Sequence, residues 1–272
     1  TRILRSRALP TLGRQPWGCG DASLSEHESH MGVATEVPRA KFYLLTADTH
    51  EPLFEGYQIF NTVRNDYVPT IRRIVQEMPK VGVDVITANC EYAGSQWEIN
   101  FAPGRGLAGP DQAFTFKNGV KEIAKQDGYL ATFMSKPFAA SAGSGCHTHL
   151  SLLHADSGEN AFADEGDPDG MNDTCRSFIA GLLTYARAID AVIAPTVNCL
   201  RRRRRHTFSP TNVSWGHEDR SALVRVKGGS PASKHIEYRA PSALSNPYLV
   251  GAALIHLPIR ERLELFAQVC SA

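Results

Sequence analysis

Residues 135–153 read SKPFAASAGSGCHTHLSLL, and the segment divides into two halves of opposite character. The first half is small and flexible. Gly143, Ser144 and Gly145 make a turn that lets backbone amides come close to a ligand. The second half is a strand. His147, His149 and Ser151 recur at every second position, so all three project from one face. A His-x-His pair is a metal-ligand spacing, with zinc as the default ion. No cysteine cluster accompanies it, and carboxylates elsewhere favour a harder cation such as Mg²⁺ or Mn²⁺. The plainer reading is two half-exposed strand histidines.

Working outward, helices and strands alternate irregularly. KFYLLTADTH (41–50) reads as a strand and turn, and YVPTIRRIVQEMPKVG (67–82) as a helix closed by Pro and Gly. VDVITANCEYAGSQWEINFAPG (83–104) reads as two strands around a Gly-Ser turn. DQAFTFKNGVKEIAKQDG (111–128) is a helix, with Asp111 as N-cap and Gly128 as its stop. GYLATFMSKPF (128–138) is strand-like, and the acidic SGENAFADEGDPDG (157–170) is a loop. MNDTCRSFIAGLLTYARAIDAVIA (171–194) is the strongest helix, lined by Phe178, Leu182, Leu183, Ala186 and Ile189. SALVRVK and HIEYRA are strands, and NPYLVGAALIHL is a short apolar helix. Antiparallel-looking strands mixed with helices in this way give an α+β fold, not a doubly wound sheet.

The chain has 272 residues, room for one large domain or two small ones. A net charge of +1 excludes a polyanion-binding surface and with it a nucleic-acid partner. The five arginines of Arg201–Arg205 are therefore a local feature, and a nuclear address is the weaker reading of them. No apolar run approaches the roughly 18 residues of a membrane span. The N-terminal twenty residues are Arg-rich and acid-free, as in a transit peptide or a ragged start, and lack the apolar core of a secretory signal. Six cysteines without a CxxC pair read as reduced thiols of a cytoplasmic protein. Residues 1–40 are expected to be an irregular N-terminal segment, and 41–272 the folded domain.

Three further stretches carry chemistry. In NCEYAGSQWEIN, Glu91 and Glu98 lie on two arms that the Gly94–Ser95 turn folds together, so both carboxylates can face one site; two exposed acids are the alternative. RRRRRHTFSPTNVSWGHEDRSALVRVKG supplies Arg202, Arg220 and Arg225. In HIEYRAPSALSNPYL, Glu237 and Arg239 share a strand face, either as a buried pair or as a metal carboxylate beside an anion-binding arginine. Carboxylates, a glycine turn and spaced arginines fit phosphoryl transfer, and the missing GxxxxGK[ST] excludes a P-loop enzyme.

The order of these motifs resembles the glutamine synthetase family. KPFAASAGSGCHTHLS is similar to its ATP-binding signature, and EYAGSQWEI to its acidic segment. RRRRRHTFSPTNVSWGHEDRSALVRV and HIEYRAPSALSNPYLVGAAL are similar to its two arginine-bearing segments. The resemblance runs over about residues 41–255. It implies a largely antiparallel, curved sheet with flanking helices. It makes Glu91 and Glu98 ligands of one Mg²⁺ or Mn²⁺, and His147 and Glu237 ligands of a second. Gly143, His147, Arg202 and Arg239 would bind glutamate; His149, Ser151, Arg225 and Lys234 would bind the nucleotide. Arg220 and Arg202 would be catalytic. The implied reaction is ATP-dependent: a γ-glutamyl phosphate forms, and ammonia or an amine displaces phosphate. A homo-oligomeric ring with sites between subunits is implied as well.

The sequence departs from the family in three places. Where the family carries a paired acid before the strand resembling FYLL, the ungapped alignment gives Arg39 and Lys41; a gap through ATEVPRAKFYLL recovers Glu36 alone. The family's small N-terminal domain is not expected within these residues. Phe208 stands where glutamine-forming members carry a glutamate, which points to a bulkier amine such as a polyamine. Two functions follow: a glutamate–amine ligase, or a truncated and catalytically impaired relative. Lys41 alone reaching Glu91 and Glu98, with no further acid, adds weight to the second.

Overall fold

The computed structural model describes residues 31–56, 68–204, 207–256 and 258. Its centre is one mixed sheet of nine strands. They are β1 (Met31–Thr46), β2 (Val85–Cys90), β3 (Gln96–Phe101), β4 (Gly104–Arg105), β5 (Tyr129–Thr132), β6 (Cys146–His154), β7 (Trp215–His217), β8 (Val224–Lys227) and β9 (His235–Tyr238). The strand order is β2-β3-β1-β6-β9-β8-β7, with β4 and β5 also paired to β1. All pairings are antiparallel except β7 with β8. Helices are α1 (Pro69–Glu77), α2 (Ala108–Gln126), α3 (Asp173–Thr184), α4 (Ala186–Ile193) and α5 (Val197–Arg202), with a further helical stretch at 247–256. The α+β reading holds.

β1 is the spine. On one edge Ala40–Tyr43 pair with β3; on the other, Met31–Ala40 pair with β6 and Tyr43–Thr46 with β5. The expectation of an irregular segment to residue 40 is therefore corrected: residues 31–40 are sheet, because β6 offers them a continuous antiparallel edge. Residues 1–30 lie outside the described part, and with them the question of a transit peptide.

Strand periodicity gives the sheet two chemically distinct faces. Phe42 and Leu44, Trp97 and Ile99, Leu150 and Leu152, Val224 and Val226, and Ile236 and Tyr238 point to the helices and are buried. They build two apolar clusters, one against α1 and α2, the other against α3 and α4. The intervening residues, Lys41, Glu98, His147, His149, Arg225 and Glu237 among them, occupy the opposite face. Ile236 is fully buried on the core face of β9. Ile236→Val should cost about 1 kcal/mol by urea unfolding with site chemistry unchanged, because only a methyl of core packing is removed.

Two helix readings change. α2 begins at Ala108, before Asp111, and Leu107 caps it without a side-chain bond; Pro110 is accepted in its first turn, where an N–H has no partner to lose. Asp111 instead accepts a hydrogen bond from Tyr248 Oη at 2.7 Å. Residues 171–194 form two helices jointed at Tyr185 (φ −93°, ψ 9°), yet the apolar face stays in register, with Phe178, Leu182, Ala186 and Ile189 all buried. Asn172 caps α3, its Oδ1 accepting from Cys175 N at 2.9 Å.

Candidate active site

The polar face gathers its groups around the junction beside β1 between the end of β5 and the start of β6. The glycine turn fills that junction: Lys41 N donates to Gly145 O at 3.1 Å, and Ser144 N to Ser135 O at 2.8 Å. Gln96 Nε2 holds the turn from the other side, donating to Gly143 O at 3.1 Å and Ser144 Oγ at 3.0 Å. Asn198 secures the segment's start through two bonds with the Lys136 backbone, at 2.8 and 2.9 Å. Glycine is required here because Arg202 packs directly beneath. A methyl on Gly143 would lie 2.7 Å from Arg202 Cγ, and one on Gly145 2.5 Å from Arg202 Nη2.

The five arginines have separate fates. Arg202, at the end of α5, is buried; Nη1 donates to Ala240 O at 2.7 Å and Nη2 to Arg239 O at 3.1 Å. Burial, reinforced by Arg203, lowers its pKa to about 10, which leaves it charged at neutral pH. Arg203 pairs with Asp190 at 2.6 Å. Arg201 and Arg204 are exposed, and Arg205 lies outside the described residues. Among Arg201–Arg204 the run is one buried residue on a helix end with solvated or tethered neighbours.

Glu237 is the hub of β9. Its Oε1 accepts from Arg239 Nη1 at 2.7 Å and lies 3.0 Å from His147 Nδ1, while Oε2 accepts from Arg225 Nη1 at 3.0 Å. Its burial favours the neutral acid, but the bond from His147 and the nearby cations prevail and hold the carboxyl well below its usual range. Burial also drives His147 down to about 3, so the imidazole is neutral at pH 7 and donates through Nδ1–H. His149 sits 3.9 Å from Glu237 Oε1 and faces His235 at 5.0 Å between ring centroids. Burial lowers its pKa too, and neither of its ring nitrogens has a hydrogen-bond partner.

The acidic pair is equally specific. The turn at Gly94–Ser95 folds back, Ser95 taking φ +62°, with Glu91 N donating to Gln96 O at 2.7 Å. Glu91 and Glu98 thus face one point, as the turn between them allows. Lys41 occupies that point: its Nζ lies 2.9 Å from Glu91 and 3.5 Å from Glu98. Burial raises the Glu98 pKa against the lowering influence of Lys41.

Of the remaining expected ligands, Arg225 bonds to Glu237. Lys234 is turned away, its Nζ donating to Asp169 O at 2.9 Å beneath the acidic loop. Arg220 is exposed on the loop before β8. Ser151 shares the face of His147 and His149 but lies further along β6, opposite Thr35. Arg225 is shared between Glu237 and Glu218, and Glu218 also holds Lys227 at 2.7 Å. Gln96 and Asn198 were not foreseen; Gln96 falls inside the acidic motif, the only sign the sequence gives of it.

A divalent metal does not fit these residues. The Glu91–Glu98 carboxylates are taken by an ammonium, and both Glu237 oxygens by guanidinium and imidazole donors. Among the described residues, no three His, Cys, Asp or Glu side chains converge to hold one ion. No helix among them is long and apolar enough to cross a membrane.

Comparison with known proteins gives a consistent result. The family model for the glutamine synthetase catalytic domain matches residues 25–261. A glutamine synthetase from Methanocaldococcus jannaschii is 38% identical over 226 residues, covering 80% of this chain and 49% of that protein. The gamma-glutamylethanolamide synthetase GlnA4 of Streptomyces coelicolor is 40% identical over 251 residues, covering 86% and 53%. A solved GmaS/ADP complex superposes with a TM-score of 0.76 at 29% identity, covering 86% of this chain and 56% of that one. The chain spans about half the length of the curated relatives it matches.

Proposed function

The chain belongs to the glutamine synthetase family, whose catalytic domain covers most of it, and from that premise we propose that the protein is an ATP-dependent ligase joining the γ-carboxyl of glutamate to an amine. The carrying observation is Arg202, buried and charged under a glycine turn and flanked by Arg239 and His147. Two guanidinium groups and close backbone amides are the groups a small dicarboxylate would need for its oxygens.

The chemistry proceeds in two displacements. A γ-carboxylate oxygen of glutamate attacks the terminal phosphorus of ATP, and the bond to the bridging oxygen breaks, releasing ADP. The amine nitrogen then attacks the acyl carbon, phosphate leaves with the bonding pair, and the nitrogen gives up a proton. Negative charge concentrates on the phosphoryl oxygens throughout. Arg225 and Arg239, fixed by Glu237, and the exposed Arg220 supply positive charge for it. His149, with free ring nitrogens, is the proposed nucleotide contact. The ADP bound to the similar GmaS structure supports a nucleotide in this fold.

The acceptor is proposed to be larger than ammonia. Phe208 is exposed and its ring lies 4.5 Å from that of Tyr92, next to Glu91. Two aromatic faces there favour an alkylamine or polyamine over a bare ammonium. The name of GlnA4, a gamma-glutamylethanolamide synthetase, points the same way. A homo-oligomer in the cytoplasm completes this reading.

Phosphate release from ATP tests it. Purified protein with glutamate should release phosphate with ethylamine, putrescine or spermine faster than with ammonium. His147→Ala should lower the rate by at least about 100-fold, because Glu237 loses a donor at the centre of the site. Phe208→Glu should move preference toward ammonium. No turnover with any amine, in a protein that still binds ATP, would favour the impaired relative; the position of Lys41 between Glu91 and Glu98 is the observation on that side.

A further inference from the structure

We propose that Lys41 is a built-in cation: its ammonium permanently occupies the Glu91–Glu98 carboxylate pair, and the chain binds no divalent metal there. The inference rests on the family reading only for the expectation of a metal; the occupancy itself is geometric.

The position of Lys41 follows from the sheet. Lys41 is the cross-strand partner of Glu98, which is in turn the partner of Asn89 on β2. Antiparallel partners on one face have Cβ atoms about 5 Å apart, so a lysine opposite a glutamate can lay its ammonium over the carboxylate. The β2–β3 turn brings Glu91 to the other side of the same ammonium. Lys41, Glu91 and Glu98 are all largely buried, with side-chain exposures of 16%, 18% and 12%. Two facing carboxylates at that depth repel each other unless a cation or a shared proton lies between them. The chain supplies one covalently.

The rest of the face is built in the same way. Arg39, two residues before Lys41 and paired with His147 across the strands, is near enough to act on Glu98, His149 and His235. Arg225 and Arg239 take up Glu237. Glu91, Glu98 and Glu237 are thus met by Lys41, Arg225 and Arg239, with Arg39 near by, and each carboxylate has a cationic side chain without a metal. A Mg²⁺ or Mn²⁺ entering here would have to displace a tethered ammonium from both oxygen donors. It would also have to approach Arg39.

Manganese titration of the unliganded protein, followed by electron paramagnetic resonance, tests this without nucleotide, glutamate or turnover. The wild type should show no Mn²⁺ site below about millimolar concentration. Lys41→Glu should gain one, tighter by on the order of 100-fold, because a charge reversal at contact distance completes an acidic cluster. Adding Glu98→Gln to it should remove the gain. Lys41→Ala, which leaves the pair uncompensated without adding a ligand, should show a weaker gain of about 10-fold and serves if Lys41→Glu does not fold. A tight wild-type site abolished by Glu98→Gln would overturn the proposal. So would folded Lys41→Glu and Lys41→Ala proteins that bind no better than the wild type. Because no step of the titration involves catalysis, failure of the ligase reading would leave its result unchanged.

Discussion

Replacing Glu237 by alanine is expected to lower stability by about 3–5 kcal/mol, the usual cost of removing one partner from a buried ionic cluster. Glu237 is 3% exposed and its two oxygens receive Arg225, Arg239 and His147. Alanine leaves the largely buried Arg239 guanidinium without its carboxylate and Arg225 with Glu218 alone. Glu237→Gln should cost less, since it keeps an acceptor oxygen while losing the charge. Urea unfolding of the three proteins at pH 7 checks the order; an alanine variant within 1 kcal/mol of wild type would mean that water reaches the cluster. The same cluster sets the acid limb of stability. His147 titrates near 3 in the folded state against an ordinary value of 6.5. Between those values the unfolded chain binds a proton that the folded chain refuses, so stability falls as pH drops through this window. Glu237 acts in the same direction lower down, because its folded pKa lies below the usual carboxylate range. The wild-type urea midpoint should therefore decline steadily from pH 7 to 4. In Glu237→Ala the Glu237 contribution disappears below about pH 4.5.

The strands were legible because one physical rule governed them. Alternation at His147, His149 and Ser151 placed three polar groups on one face, and the same period separates Lys41 from Phe42 and Glu237 from Tyr238. The turn at Gly94–Ser95 was legible for a related reason: a short reversal between two strands forces Glu91 and Glu98 together. What could not be read was anything decided by distant partners. The β1 strand extends back to Met31 because β6 lies beside it, and nothing within residues 31–40 announces that edge. Asp111 had the chemistry of a cap, but Pro110 let the helix begin earlier. Lys234 had the charge for a phosphate, and the carbonyl of Asp169, sixty-five positions away in sequence, claims it. The substitution at Lys41 was visible as a departure; that its ammonium fits between both carboxylates required the register of β1 on β3.

On the proposed ligase reading, Arg202→Lys is expected to reduce kcat/KM for glutamate by about 100- to 1,000-fold, with ATP affinity nearly unchanged. The guanidinium spans the carbonyls of Ala240 and Arg239 with two separate nitrogens, and a lysine ammonium is a single point that reaches one of them. Losing the second bond leaves a buried carbonyl without a donor, worth about 1–3 kcal/mol, and removes the planar floor under Gly143 and Gly145. Gly143→Ala should give the same phenotype from above. Its methyl would meet Arg202 Cγ at 2.7 Å and the Ser135 carbonyl at 2.8 Å, and the carbonyl is backbone that cannot turn aside. If turn and arginine form one cradle, the double variant should be little worse than either single one, since each already destroys what the other supports. Full additivity would mean two independent contributions. Wild-type kcat/KM in Arg202→Lys would mean that Arg202 only braces the chain, and glutamate would then have to be held by Arg239 and the turn amides without it.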